Sequence, residues 1–249
     1  MSIIVQRKHV IPAADYREYE RMSSQGVWET FLHFGSRQLA YGTWQFGDGP
    51  VDGVITHQAY EDMAHWHATR AMFMGTPGAF YEDEAIMAET VESREISANR
   101  NQLMRGTEAR IIDVDDSVVD LQVHYRHPGT PVAEAPPTFG RGSVVSERTY
   151  QLAEGARARF VELSRTQIWP WLDTQGARMV AFGHDPLGPS DEVITLFAFR
   201  SLPDWERLSH PKDEPAPAEV TQAWQERDAL IRRHRGRLLV IATDFGTAV

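Results

Sequence analysis

Apolar residues in this chain switch between a spacing of two and a spacing of 3.6, and the switches occur in the same order twice. Residues 3–10 are β-branched and predict a strand with Ile3, Val5, Arg7 and His9 on one face. Pro12-Ala-Ala-Asp15 then opens a helix with Asp15 as N-cap candidate, and Tyr16, Tyr19, Met22, Trp28, Phe31 and Leu32 carry its apolar face to a stop at Gly35. Strands are expected over residues 37–44 and 54–60, with a turn at 46–50. Glu61-Asp62 starts a helix toward Met74, which Gly75-Thr-Pro-Gly78 breaks. Helical spacing resumes from Phe80 to about Ser97, and Leu103-Met104 and residues 111–114 read as extended. The second run predicts a strand at 144–152, a helix at 154–173 stopped by Gly176, and strands at 178–184 and 192–200. A helix at 202–209, a Pro-rich loop at 210–217, a helix at 218–235 and a strand at 238–243 complete it.

The two runs also correspond residue by residue. Arg7 answers Arg148, Ser23 answers Ser164, Trp28 answers Trp169, and Ala40-x-Gly42 answers Ala181-x-Gly183. After a loop that differs by two residues, Asp52-x-Val54-Ile55-Thr56 answers Asp191-x-Val193-Ile194-Thr195, Ala59 answers Ala198 and Trp66 answers Trp205. A period this long marks duplicated domains, because solenoid units repeat at a few tens of residues. Each run has the order βαββαβ, that of the ferredoxin-like fold. The expected fold class is therefore α+β with two tandem ferredoxin-like repeats. Residues 1–112 form the first repeat, 113–143 a linker with an extra strand at 117–125, and 144–249 the second repeat.

Composition narrows the function. A net charge of −10 disfavours nucleic-acid and anionic-membrane partners. The absence of cysteine removes thiol nucleophiles, disulfides and cysteine-ligated metals. No window resembles a membrane span or a signal segment, so a cytoplasmic protein is expected. The one dense basic tract, Arg232-Arg233-His234-Arg235, reads as a solvated helix end.

Arg148-Thr149-Tyr150-x-Leu152, Gly155, Trp169-Pro170, Gly176, Leu187-Gly188 and Asp204-Trp205-Glu206 make the second copy resemble the NIPSNAP family. The first copy resembles it more weakly, with His9 in the place of Tyr150 and no proline after Trp28. The resemblance implies a dimeric α+β barrel with helices outside, here an intramolecular pseudo-dimer; further pairing of pseudo-dimers into a homodimer is left open. It implies no activity, since the wider superfamily includes cofactor-free monooxygenases, isomerising and ring-closing enzymes and heme oxidases.

Histidines point to a pocket in the first copy, which holds His9, His33, His57, His65 and His67. Antiparallel pairing of the first and third strands brings His9 toward Thr56 and His57, beside Arg7. His9 or His57 would then act as the base, and Arg7 with Tyr41 would steady an oxyanion. The competing reading of Arg7 and Arg148 is a structural ion pair in each copy. Tyr41, Trp44, Thr56, Trp66, Met72 and Phe80, with Arg148 and Tyr150 from the second copy, are the expected substrate-binding residues, and residues 71–81 the expected lid. His65-x-His67 and His124-x-x-His127 are poor chelators, because residues two apart on a helix face away from one another and no HExxH motif occurs. No metal and no cofactor are expected, and no nucleotide fingerprint is present. The expected function is a cofactor-independent isomerase, cyclase or oxygenase acting through an enolate on a small apolar or aromatic bacterial metabolite. The alternatives are a non-catalytic ligand-binding or interaction protein, and a heme-binding barrel with His184 as axial ligand.

Overall fold

The first strand shows how the barrel is organised. In β1 (Ile3–Val10), Ile4 and Gln6 face one side of the sheet, and Ile3, Val5, Arg7 and His9 face the other. The computed structural model describes residues 1–47, 53–121, 123, 139–209 and 216–245. Its other strands are β2 (Arg37–Gly47), β3 (Val54–Tyr60), β4 (Gly106–Val114), β5 (Val144–Leu152), β6 (Arg178–His184), β7 (Glu192–Phe199) and β8 (Ile231–Ile241). They close into one barrel in the order β1-β3-β2-β8-β5-β7-β6-β4, every neighbouring pair antiparallel. Strands β1 to β4 form an arc ordered β4-β1-β3-β2, and β5 to β8 form an arc ordered β8-β5-β7-β6. The arcs meet at two seams, β2 with β8 and β4 with β6.

Close approach at the seams explains the Ala-x-Gly pairs seen in the sequence. Gly42 pairs with Ile241, and a Cβ there would lie 1.9 Å from the Val240 carbonyl oxygen. Gly183 pairs with Val114, and a Cβ there would lie 2.0 Å from the Asp113 carbonyl oxygen. Only a residue without a Cβ lets the backbones meet at this distance.

Ile4, Ile55, Ala59, Ile112, Val145, Ile194, Leu196 and Leu239 belong to one apolar cluster in the barrel interior. A charged contact crosses it. The Glu147 carboxylate on β5 accepts from Gln6 Nε2 on β1 at 2.7 Å and pairs with Arg110 Nη2 on β4 at 2.5 Å. Burial alone would raise the Glu147 carboxyl, but Arg110, Gln6, His57 and Arg237 hold it below the usual carboxylate range.

The opposite faces of the strands are covered by helices. In the first half these are α1 (Tyr16–Met22), α2 (Trp28–His33), α3 (Met63–Met74), α4 (Glu84–Glu89) and α5 (Val91–Asn101). The second half has α6 (Arg157–Leu163), α7 (Trp169–Thr174), α8 (Leu202–Ser209) and α9 (Ala218–Asp228). A π-helical turn joins α1 to α2 at Ser23–Val27, and another joins α6 to α7 at Ser164–Ile168. In each, the serine hydroxyl donates back to a carbonyl four residues earlier, Ser23 to Tyr19 at 2.6 Å and Ser164 to Phe160 at 2.7 Å. Asp62 caps α3 through the His65 amide, and Gly75 ends it at φ +62.

Some sequence expectations are corrected. Asp15 makes no side-chain cap, because a 3-10 turn over Ala13–Asp15 precedes α1 and leaves Asp15 in a helical conformation. Residues 117–121 and 123 are not a strand. The β4–β6 seam is two residue pairs long, and beyond it Leu121 and Val123 join the interior apolar cluster, while Arg37 Nη1 donates to the Leu121 carbonyl at 2.7 Å. The basic tract lies on β8, since α9 ends at Asp228 and β8 pairs with β5 from Leu152 to Val144. The Pro-rich parts at 124–138 and 210–215, most of the 46–50 turn, and His124, His127 and His210 lie outside the described residues.

The seams and the crossing ion pair are each testable by denaturation. Gly42→Ala and Gly183→Ala are each expected to cost about 1–3 kcal/mol, measured in urea, because the obstructing atoms are backbone. Arg110→Met leaves Glu147 buried and unpaired, an expected loss of about 3–5 kcal/mol. The Arg110→Met/Glu147→Met double variant should recover much of it.

Candidate active-site pockets

The expected first-copy site is present only in part. Arg7 pairs in register with Thr56 on the helix-covered face of the sheet, and His9 lies on that same face. Tyr19 from α1 stands 5.5 Å from the His9 ring and 6.3 Å from the Tyr41 ring, and the Arg100 guanidinium lies 5.1 Å above Tyr19. His9 Nδ1 is 3.0 Å from Thr107 Oγ1. Burial, and then Arg100, Arg7 and Arg70, lower the His9 pKa to about 3. Burial likewise raises the Tyr41 hydroxyl, which donates to the Tyr16 carbonyl at 3.3 Å.

His57 is not in this group. It pairs in register with Gln6, so it sits on the interior face, one residue out of phase with Thr56. There it contacts Gln6 and lies 6.4 Å from Trp44, which the Arg237 guanidinium covers at 5.4 Å. Burial lowers the His57 pKa to about 4, opposed in part by Glu147. The expectation that strand pairing brings His9 toward His57 is therefore corrected: strand alternation puts the two rings on opposite faces of the sheet, and burial lowers the pKa of each.

The remaining expected residues disperse. Trp66 packs on Ile3, Val5 and Tyr60, and Met72 and Phe80 pack with Phe34, Ala68 and Ile86. Of the expected lid, Ala71, Met72 and Phe80 are thus core. His65 is pinned by backbone, with Nδ1 accepting from the Glu61 amide at 3.1 Å and Nε2 donating to the Phe34 carbonyl at 2.8 Å. His184 stands at a seam, 4.0 Å from Asp113. Arg7 and Arg148 make no ion pair among the described residues, so the structural ion-pair reading of both fails there.

Arg148 and Tyr150 instead line a cavity of about 760 Å³ in the second half, between β5, β7 and β8 and the helices α8 and α9. Arg148 Nη2 donates to Ser209 Oγ at 3.4 Å. Arg227 from α9 is buried and lies 5.4 Å over Phe160, 5.9 Å over Tyr150 and 5.9 Å over Trp224. Burial lowers the Arg227 pKa. Phe197, Trp224 and His234 also line the cavity. The sequence reading missed Trp224, Arg227 and His234. Trp224 and Arg227 share a helix face at three-residue spacing, a usable signal, whereas His234 was hidden by running the helix on to residue 235.

Comparison with known proteins bears on the fold. No protein-family profile matches the chain. Ribosomal RNA large subunit methyltransferase H of Acidiphilium cryptum (strain JF-5) is 36% identical over 69 residues, which are 28% of this chain and only 42% of that protein. A crystal structure named "putative monooxygenase", from Lactobacillus acidophilus NCFM, covers 100% of this chain and 99% of its own at a TM-score of 0.59 and 12% identity. The fold is the dimeric α+β barrel. Its other solved neighbours include a NIPSNAP family protein of Agrobacterium tumefaciens str. C58, 21% identical, matched over 45% of this chain and 96% of its own with a TM-score of 0.37. In this dimeric α+β barrel, among the described residues, no helix is long and apolar enough to cross a membrane.

The two neutral histidines give the barrel a pH signature. Folded, they titrate near 3 and 4 instead of 6.5, so between pH 6.5 and about 4 the unfolded chain binds more protons. Stability is then complete above pH 6.5 and is lost as the pH falls through that window. The thermal midpoint of the wild type should drop between pH 6.5 and 4.5, and that of a His9→Phe/His57→Gln variant should drop distinctly less.

Proposed function

We propose that the chain is two tandem ferredoxin-like repeats serving as a cofactor-independent enzyme of the isomerase, cyclase or monooxygenase type. Its substrate is a small aromatic or apolar metabolite held in the second-half cavity. The observation that carries this reading is the pairing of aromatic walls, Tyr150, Phe197 and Trp224, with two guanidinium groups, Arg148 and Arg227, in a space of about 760 Å³. Pockets of roughly 300–1,000 Å³ with few placed polar groups are those that enclose small metabolites. The end-to-end likeness to a barrel named for monooxygenase chemistry is in keeping with it.

Chemically, the arginines favour a substrate whose oxygen becomes anionic. Removal of a proton from carbon beside a carbonyl yields an enolate, and from a phenol hydroxyl a phenolate; the Arg148 guanidinium would hold either oxygen. His234, lining the same cavity, takes the proton. Returning that proton to another carbon isomerises the substrate, and attack on an internal carbonyl closes a ring. In the oxygenating variant the enolate itself reduces dioxygen, so that a CH₂ becomes C=O and the second oxygen atom leaves as water.

The test is turnover and binding of a panel of hydroxylated polycyclic aromatics and β-keto aromatics, with oxygen consumption followed alongside. Arg148→Gln removes a charge-assisted hydrogen bond worth about 1.5–3 kcal/mol, so binding or kcat/KM should fall about ten- to a hundredfold. Trp224→Ala should weaken binding as well. Ligands that bind but are never turned over would leave a ligand-binding protein, and variants as active as wild type would remove the cavity from consideration.

A further inference from the structure

The first half holds a constellation that the chemistry above does not use. Tyr19, Tyr41 and Tyr60 stand where the second half has Phe160, Phe182 and Phe199. Strand register supports the correspondence: Tyr41 pairs with Thr56 as Phe182 pairs with Thr195, and Tyr60 pairs with Ile3 as Phe199 pairs with Val144. Arg100 covers Tyr19 at 5.1 Å as Arg227 covers Phe160 at 5.4 Å. Arg70 follows Trp66 by four residues, where Ser209 follows Trp205. Relative to the second half, this face has gained three phenolic hydroxyls and a third guanidinium, with His9 in place of Tyr150 and Arg70 in place of Ser209.

Arg7 reaches the Tyr60 hydroxyl, but these charges lack an anionic partner among the described residues. Arg7 is 9% exposed and Arg100 8%, and among the described residues neither they nor Arg70 form an ion pair. Arg100 Nη1 reaches Ser23 Oγ at 3.3 Å, while Arg100 Nε and the Tyr19 hydroxyl are buried with no hydrogen-bond partner. The three guanidinium groups also act on one another, since Arg7 and Arg100 both oppose the charge on Arg70 after burial has done so. Arg7 and Arg100 are buried and Arg70 is half-buried, so like charges here repel and are poorly solvated, which an anion would relieve. Guanidinium forks match the oxygens of carboxylates and phosphates, and phenolic hydroxyls can donate to them too.

We propose that Arg7, Arg70 and Arg100, with the Tyr19 hydroxyl, form a binding site for a compact oxyanion, the carboxylate or phosphate group of a small metabolite, between the first-half sheet and its helices. The site is separate from the second-half cavity and does not rest on the function proposed for it.

Thermal unfolding should be followed with sodium phosphate or sodium benzoate titrated against sodium chloride at equal ionic strength. One of the two anions is expected to raise the midpoint beyond the chloride control, and which one does so identifies the ligand class. Arg70→Gln should weaken that response at least tenfold while leaving the anion-free protein as stable as wild type or more so, because a repelling charge is gone. Arg148→Gln should keep the response. No anion-specific shift, or a shift that survives Arg70→Gln but disappears in Arg148→Gln, overturns the proposal. Should Arg70→Gln fail to fold, the wild-type His9 ring resonances decide: they move with phosphate or benzoate if the site is real, and stay in place if it is not.

Discussion

Closure of the sheet on itself is the constraint from which the rest of the structure follows. Eight antiparallel strands leave no free edge only if the two arcs meet backbone to backbone at both seams, and Gly42 and Gly183 make that approach sterically possible. Closure creates an interior that must be filled, and apolar side chains from all around the barrel fill most of it. It also forces Glu147, Gln6 and Arg110, from three strands and both arcs, into one low-dielectric space where each charge needs its partner. The segment after β4 adds to that filling, placing Leu121 and Val123 in the core.

The two arcs share a strand order and differ in what they enclose beneath their helices. In the second, phenylalanines and Trp224 frame an open cavity with two arginines. In the first, tyrosines, His9, Arg7 and Arg100 occupy corresponding ground and are buried, with Arg70 half-buried beside them. Much of the change is small in volume, a hydroxyl on each of three rings, but large in electrostatics. The same strand order therefore carries an open cavity lined by aromatic rings and two arginines in one half, and a closed cluster with three arginines in the other.

Much of the fold was legible in the chain. Residues 3–10 and 54–60 are rich enough in β-branched residues that the expected strand ends match β1 and β3, and Gly35, Gly75 and Gly176 stop helices by adopting positive φ. The candidate site was less legible. His9, Arg7, Tyr41 and Thr56 do share a face, because residues two apart on a strand must, and antiparallel pairing set Arg7 against Thr56. His57 went astray by one residue, and one residue is a whole face in a sheet.

What the sequence by itself determined is what short-range geometry controls: the alternation of strand faces, the stopping of helices at glycines, the recurrence of Arg7 at Arg148 and of Gly42 at Gly183. What only the tertiary structure decided is what depends on long-range neighbours. Whether a histidine titrates near neutrality depends on burial and on arginines distant in the chain. Whether a pocket is open depends on how a helix such as α9 seats over a sheet. Neither quantity has a local signature, because desolvation and enclosed volume are properties of the assembled barrel and not of any segment within it.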